Sequence, residues 1–167
     1  MEGIEKYQLG QTDDLLRINT RDDCQQLTLA MAQQAKLSLN IFSHDLEPAL
    51  YNSPSFYEAA RNVIGADTNS LIRILVYDIS GTINKGHRLL DLASRLSSRV
   101  QVRKLTKKYH HAFMVADNIV VVDRRRAERY EGTANFNAPG WDQNLQVFFN
   151  GVWDQSSRTS EIYSLKI

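Results

Sequence analysis

Three apolar runs, at residues 37–42, 70–77 and 100–105, are separated by stretches whose apolar residues recur every three or four positions. That alternation constrains the fold most, because strand and helix patterns in turn ask for a sheet with helices packed on it. The first helical stretch is capped by Asp22 or Asp23 and buries Cys24, Leu27, Met31 and Ala35. The second opens at Ser53-Pro54-Ser55, either with Ser53 as cap and Pro54 in the first turn or with Ser55 and Glu58 as a capping box. Its buried side holds Phe56, Ala60, Val63 and Ile64. The third, Lys85 to Ser97, is buried through Leu89, Leu90, Ala93 and Leu96. Beyond residue 105 the pattern changes. Ala112–Ala116 and Ile119–Val122 read as two strands joined by a tight turn at Asp117-Asn118, Leu145–Phe149 as a further strand, and Gly151–Leu165 as a terminal helix anchored by Trp153, Ile162 and Tyr163. The expected fold class is α/β, a sandwich with a mixed β-sheet, in a single domain.

The chain has 167 residues, enough for a substantial core. Its composition, 43% apolar and 23% charged, excludes a disordered or fibrous class. No apolar run approaches the roughly 20 residues that cross a bilayer, so membrane insertion is not expected. The start, Met1-Glu2-Gly3-Ile4-Glu5-Lys6, lacks the basic and apolar segments of a signal peptide, and Cys24 is the only cysteine. A cytoplasmic protein without metal or cofactor is the expectation.

A net charge of +1 conceals an uneven distribution. Residues 1–23 carry six acidic and three basic side chains, whereas residues 103–129 carry eight Lys and Arg (Arg103, Lys104, Lys107, Lys108, Arg124, Arg125, Arg126, Arg129) against Asp117, Asp123 and Glu128. Such clustering suits an anionic ligand as well as a solvated edge. Gly81 to Gly86 follows a strand and opens a helix, but His87-Arg88 stand where a phosphate loop would place Lys and Ser or Thr, so a plain turn is expected. His44-Asp45 follow a strand and are read as a polar loop pair at an end where α/β sheets place ligands.

The most chemically suggestive segment is residues 109–137, YHHAFMVADNIVVVDRRRAERYEGTANFN. Phosphodiester cleavage needs a nucleophile, donors for the non-bridging oxygens and an acid for the leaving group. Histidine serves as nucleophile or acid near neutral pH, and a Gly followed by a small hydroxyl residue and an Asn amide suits a phosphate. His110, Asp117, Gly132, Thr133 and Asn135 occur in an order that resembles the phospholipase D superfamily signature, His-x-Lys-x4-Asp followed by Gly-Ser-x-Asn. The resemblance implies a three-layer α/β/α sandwich over residues 22–167, with residues 1–21 as a lead segment packing on it. It also implies His110 as the nucleophile with Asp117 in the catalytic motif, and His110, Thr133 and Asn135 around the phosphate. Single-copy members work as homodimers, so a two-histidine site here would require a second copy of the chain.

The chain departs from the signature in several places. Ala112 occupies the lysine position, Gln146 stands in Asn144-Leu145-Gln146 where the family often has a glutamate, and fourteen residues separate Asp117 from Gly132 where the motif has far fewer. Loss of one preorganised donor costs roughly 10²–10³ in rate. If the hairpin pairs Ala116 with Ile119, Arg125 falls opposite His110 and supplies the missing charge; alternatively Arg124–Arg126 form a solvated tip. Three readings follow. The first is a catalytically impaired domain that retains binding of a phosphate-bearing ligand or nucleic acid. The second is an active homodimeric phosphodiesterase or nuclease, metal-independent, with a His110 nucleophile. The third is a structural or protein-interaction module.

Overall fold

The computed structural model describes residues 1–158, apart from the side chains of residues 141–143, 157 and 158. After a short 3-10 turn at Ile4–Lys6, the elements run β1 (Leu16–Ile18), α1 (Arg21–Gln34), β2 (Ser38–Ser43), α2 (Pro48–Tyr51), α3 (Pro54–Ala66), β3 (Leu71–Val76), α4 (Ser80–Lys85), α5 (Arg88–Arg95) and β4 (Val100–Lys104). They continue with β5 (Ala112–Ala116), β6 (Val120–Arg124), β7 (Gly132–Asn135), α6 (Pro139–Gln155) and β8 (Ser157–Arg158). The strands form one sheet in the order β1-β7-β6-β5-β2-β3-β4-β8. β2, β3 and β4 are parallel and every other pairing is antiparallel, so the sheet is mixed.

Alternation along each strand sorts the side chains onto two faces. Leu39, Ile41, Ile72, Ile74, Met114, Val120 and Val122 build one core beneath α1, α3 and α5. Phe42, Leu75, Phe113, Val115 and Val121 build the other, closed by Phe149 and Trp153 of α6. Phe42 stacks on Phe113 at 4.9 Å, and Arg103 lies 4.4 Å over the Trp153 ring while donating to its carbonyl at 2.8 Å. Three layers result. The lead segment joins them: Tyr7 stacks on Phe136 at 5.8 Å, and β1 pairs with β7.

Local chemistry accounts for the element boundaries. Thr20 rather than Asp22 or Asp23 caps α1, its hydroxyl accepting from the Asp23 amide at 3.1 Å. Ser53 caps α3 with Pro54 in the first turn. The stretch expected as one helix over 85–97 is split, because Gly86 takes φ 82° and His87 starts α5. Leu145–Phe149 is helical, not a strand. Leu145, Phe148, Phe149, Val152 and Trp153 recur at three and four residues on one face of α6, and reading them as two elements cut that stripe in half. Ile162 and Tyr163 lie outside the described residues.

The turn between β5 and β6 sets the register. Asp117 and Asn118 both take left-handed conformations, φ 53° and 60°, and the Ile119 amide donates to Ala116 at 3.2 Å. The expected two-residue turn therefore forms. Ile119 is nevertheless an extra residue: its carbonyl accepts from Ala138 at 2.8 Å, and Ala116 pairs with Val120. This bulge moves every later partner by one position.

His87 links fold to pH. Its Nδ1 accepts from the Leu89 amide at 3.1 Å and its Nε2–H donates to Leu46 O at 2.9 Å. Burial, the largest influence, pulls its pKa down to about 4 from the ordinary 6.5. The unfolded chain thus binds the proton more readily between those values, and stability falls as pH drops from about 6.5 to about 4. Urea unfolding across that window is expected to lose roughly 2–3 kcal/mol more in the wild type than in His87→Asn, which keeps a capping acceptor but does not titrate.

Candidate functional site

The carboxyl ends of β2 and β3 meet the start of β5, the end of β6 and the start of β7 at one edge of the sheet. On the face beneath α1 and α3, Ala112 lies opposite Arg124, and the register continues to Gly132 on β7. Arg124, not Arg125, therefore neighbours the position where the signature has lysine, and the bulged Ile119 is the reason. The Arg124 side chain is only 3% exposed. One guanidinium nitrogen pairs with Glu47 Oε1, and the other donates to the carbonyls of Arg129 at 2.8 Å and Ala127 at 3.2 Å. Its guanidinium carbon lies 5.5 Å over the Tyr130 ring. Burial raises the Glu47 carboxyl above its usual range, with the Arg124 charge working against that rise. Gly132 is required by this packing, since a Cβ there would overlap the Asp123 carbonyl oxygen and touch the Arg124 stem.

The signature residues are dispersed. His110 is exposed just before β5, and its carbonyl accepts from Ala127 at 2.6 Å. Glu128 lies near it, held below its usual range first by its own backbone amide and then by Arg126, His110 and Arg129. Asp117 sits at the far end of β5, where its carboxylate accepts the amides of Lys36, Leu37 and Ser38 at 2.8–3.1 Å. It fastens the turn to β2. Thr133 and Asn135 face the other side of the sheet, opposite Asp123 and Val121. The Asn135 amide donates to Asp13 O at 3.3 Å, and Asn135 lines a cavity with Leu15, Val121, Ala134 and Ala138 that His110 does not line. Gln146 accepts from Asn40 at 3.0 Å and orients no histidine.

What the fold does bring together is a basin of about 520 Å³ on the α6 side. Arg125, Arg126 and Arg129 line it with Thr133, Gly132, Asp123, Glu131 and Leu15. The three guanidinium groups make no hydrogen bond or ion pair within the described residues. Their loop is fixed from behind, because the carbonyls that Arg124 grips belong to Ala127 and Arg129. Asp123, 8% exposed, accepts from the Nε2–H of His111, whose ring rests against Phe113 at 5.0 Å. A carboxylate-oriented histidine is therefore present, one position after the expected one.

A second cleft of about 520 Å³ opens at the ends of β2 and β3, lined by His44, Asp45, Tyr77, Asp78, Lys85 and Lys108 among others. Gly81 to Lys85, expected as a plain turn, are helical in α4, and Gly81, Thr82, Lys85 and Gly86 line this cleft. The His44 Nε2–H donates to Tyr109 O. No group of three or more His, Cys, Asp or Glu among the described residues is placed to hold a metal, and no helix among them is long and apolar enough to cross a membrane. The Cys24 thiol is buried and pushed up by that burial, which makes it a poor nucleophile.

Sequence reasoning gave Glu47 and His111 no place in a site and named Arg126 and Arg129 only within the basic cluster suited to an anionic ligand. Glu47 and Arg124 are 77 positions apart and carry no joint pattern. His111 and Asp123 are twelve apart and become cross-strand neighbours only in the bulged register.

A family model described as Domain of unknown function (DUF7931) matches residues 20–165. None of the curated proteins matches the sequence. Among solved structures, the archaeal chromatin protein TrmBL2, whose structure is described as showing a novel mode of DNA binding, superposes with a TM-score of 0.64 at 14% identity. That match covers 87% of this chain and 53% of TrmBL2, so the chain spans about half the length of that protein. Nuc from Salmonella typhimurium, a phospholipase D family member, gives 0.57 at 14% identity over 87% of this chain and 96% of Nuc. NucT from Helicobacter pylori gives 0.61 at 10% identity over 88% and 98%. The fold is phospholipase D-like.

Removing one partner of the Arg124–Glu47 pair strands a buried charge. Glu47→Ala is expected to cost about 3–5 kcal/mol, and the double change Glu47→Leu/Arg124→Met to recover most of it, as read from urea unfolding in a double-mutant cycle.

Proposed function

The chain belongs to the family described as Domain of unknown function (DUF7931), and for this member we propose a phospholipase D-like domain that binds a phosphate-bearing ligand, nucleic acid included, without cleaving it. The observation that carries this reading is the row formed by Ala112, Arg124 and Gly132. The lysine position holds a methyl group, and the guanidinium beside it is buried and spent on Glu47. No fixed cation in that row is free to stabilise charge developing on phosphate, a deficit of roughly 10²–10³ in rate. Catalysis through His110 and Asn135 also requires them to converge, and Asn135 is turned toward Asp13.

Binding needs less. Unengaged guanidinium groups recognise phosphate oxygens bidentately, and Arg125, Arg126 and Arg129 line one concavity with the Thr133 hydroxyl. Of the four residues expected around phosphate, Arg125 and Thr133 belong to this basin and His110 and Asn135 do not. TrmBL2, described as binding DNA on a related fold, adds weight to nucleic acid as ligand.

Titration of a fluorescent oligonucleotide at about 50 and 200 mM salt tests the reading. Binding that weakens steeply with salt, and that Arg125→Ala, Arg126→Ala or Arg129→Ala weakens further with a shallower salt slope, is the expected result. Bis(p-nitrophenyl) phosphate is expected to remain intact without added metal. Metal-free hydrolysis abolished by His110→Ala would establish the homodimeric phosphodiesterase instead. Absence of binding to any phosphate compound would leave a protein-interaction module.

A further inference from the structure

We propose that the three-arginine basin selects a terminal phosphate monoester over an internal phosphodiester; this rests on the reading of the basin as a phosphate site. Acceptor counting carries the argument. Arg125, Arg126, Arg129 and the Thr133 hydroxyl supply four separate donor groups around one cavity. Each guanidinium presents several N–H groups in a fixed fork. A phosphodiester offers two non-bridging oxygens, which two forks already saturate. A monoester offers three, one for each guanidinium.

Net charge alone does not separate the two ligands. The lining carries three guanidinium groups against Asp123 and Glu131, and Asp123 is already engaged by His111. The lining is therefore positive by one charge, and Glu128 lies beside Arg126 and Arg129, so the number of contacts rather than net charge separates the two ligands. A monoester carries about −1.5 to −2 at neutral pH and meets each guanidinium with a separate charged oxygen. The backbone helps to hold the site in shape, because Arg124 pins the loop through the carbonyls of Ala127 and Arg129. Gly132 lines the basin through its backbone, and its missing side chain lets β7 lie close against Asp123 and the Arg124 stem.

A monoester of this kind is the phosphorylated end of a nucleic-acid strand or a small phosphorylated metabolite. The test compares oligonucleotides of one sequence bearing a 5′-phosphate or a 5′-hydroxyl, together with a nucleoside monophosphate, by fluorescence competition at about 150 mM salt. The 5′-phosphate strand is expected to bind about tenfold tighter than the hydroxyl strand, the equivalent of one further charge-assisted contact. Arg125→Ala, Arg126→Ala and Arg129→Ala should each bring that ratio toward one with unchanged circular dichroism, whereas Lys85→Ala in the other cleft should preserve it. A nucleoside monophosphate that competes as well as the phosphorylated strand identifies a small ligand as the source, and one that competes poorly identifies a strand end. Equal affinity for phosphate and hydroxyl ends overturns the selectivity while leaving phosphate binding intact. No binding of any phosphate compound overturns both.

Discussion

A guanidinium removed from water must have its N–H groups answered within the fold, or its charge is stranded at a cost of several kcal/mol. Arg124 meets that demand with Glu47 from the loop after β2 and two carbonyls from the loop after β6. The pair joins parts of the chain 77 residues apart and fixes the backbone from 125 to 131. Much at the functional edge depends on it. Tyr130 covers the guanidinium, Gly132 clears its stem, and Ala112 leaves the room beside it.

The alanine at position 112 and the Arg124–Glu47 ion pair are therefore one spatial arrangement. A cross-strand row at this depth has space for one long cationic side chain, flanked by two of minimal size. Arg124 occupies that space, and Glu47 neutralises it. Reintroducing a lysine at 112 alone would set a second buried cation against the first instead of restoring a phosphate contact. The charge in this row is committed to the fold, and Arg125, Arg126 and Arg129 stand on the loop that it supports.

The layers of the fold were legible because they rest on local pattern. The three parallel strands, the caps at Ser53 and the turn at Asp117-Asn118 follow from residue type and spacing. Failures arose where two signals overlapped or where distance mattered. Leu145–Phe149 is short and apolar enough to mimic a strand, and only Val152 and Trp153, counted with it, reveal the helical stripe. The split at Gly86-His87 was masked because Leu89, Leu90 and Ala93 carry the helical pattern within α5 alone. At the site, Asp117 was read through a catalytic motif although its carboxylate holds the amides of β2. The order of His110, Gly132 and Asn135 pointed to the fold, but order along a chain says nothing of which sheet face each residue occupies.

A single residue decides that last matter. With period-two alternation, a hairpin without Ile119 as an extra residue would have placed Asp123 beside Ala112 in the buried row and Arg124 on the α6 side. A buried carboxylate would then have faced Glu47, an unfavourable like-charge pair, and the loop carbonyls would have lacked a donor. The bulge reverses this. It buries the residue that can answer Glu47, turns Asp123 toward His111, and leaves Arg125, Arg126 and Arg129 around the basin. Ile119 is held out of register by the Ala138 amide on its carbonyl and by Gly10 against its side chain. The lead segment, which lends the basin only Leu15, and the entry to α6, which does not line it, thus help determine the charge of the site.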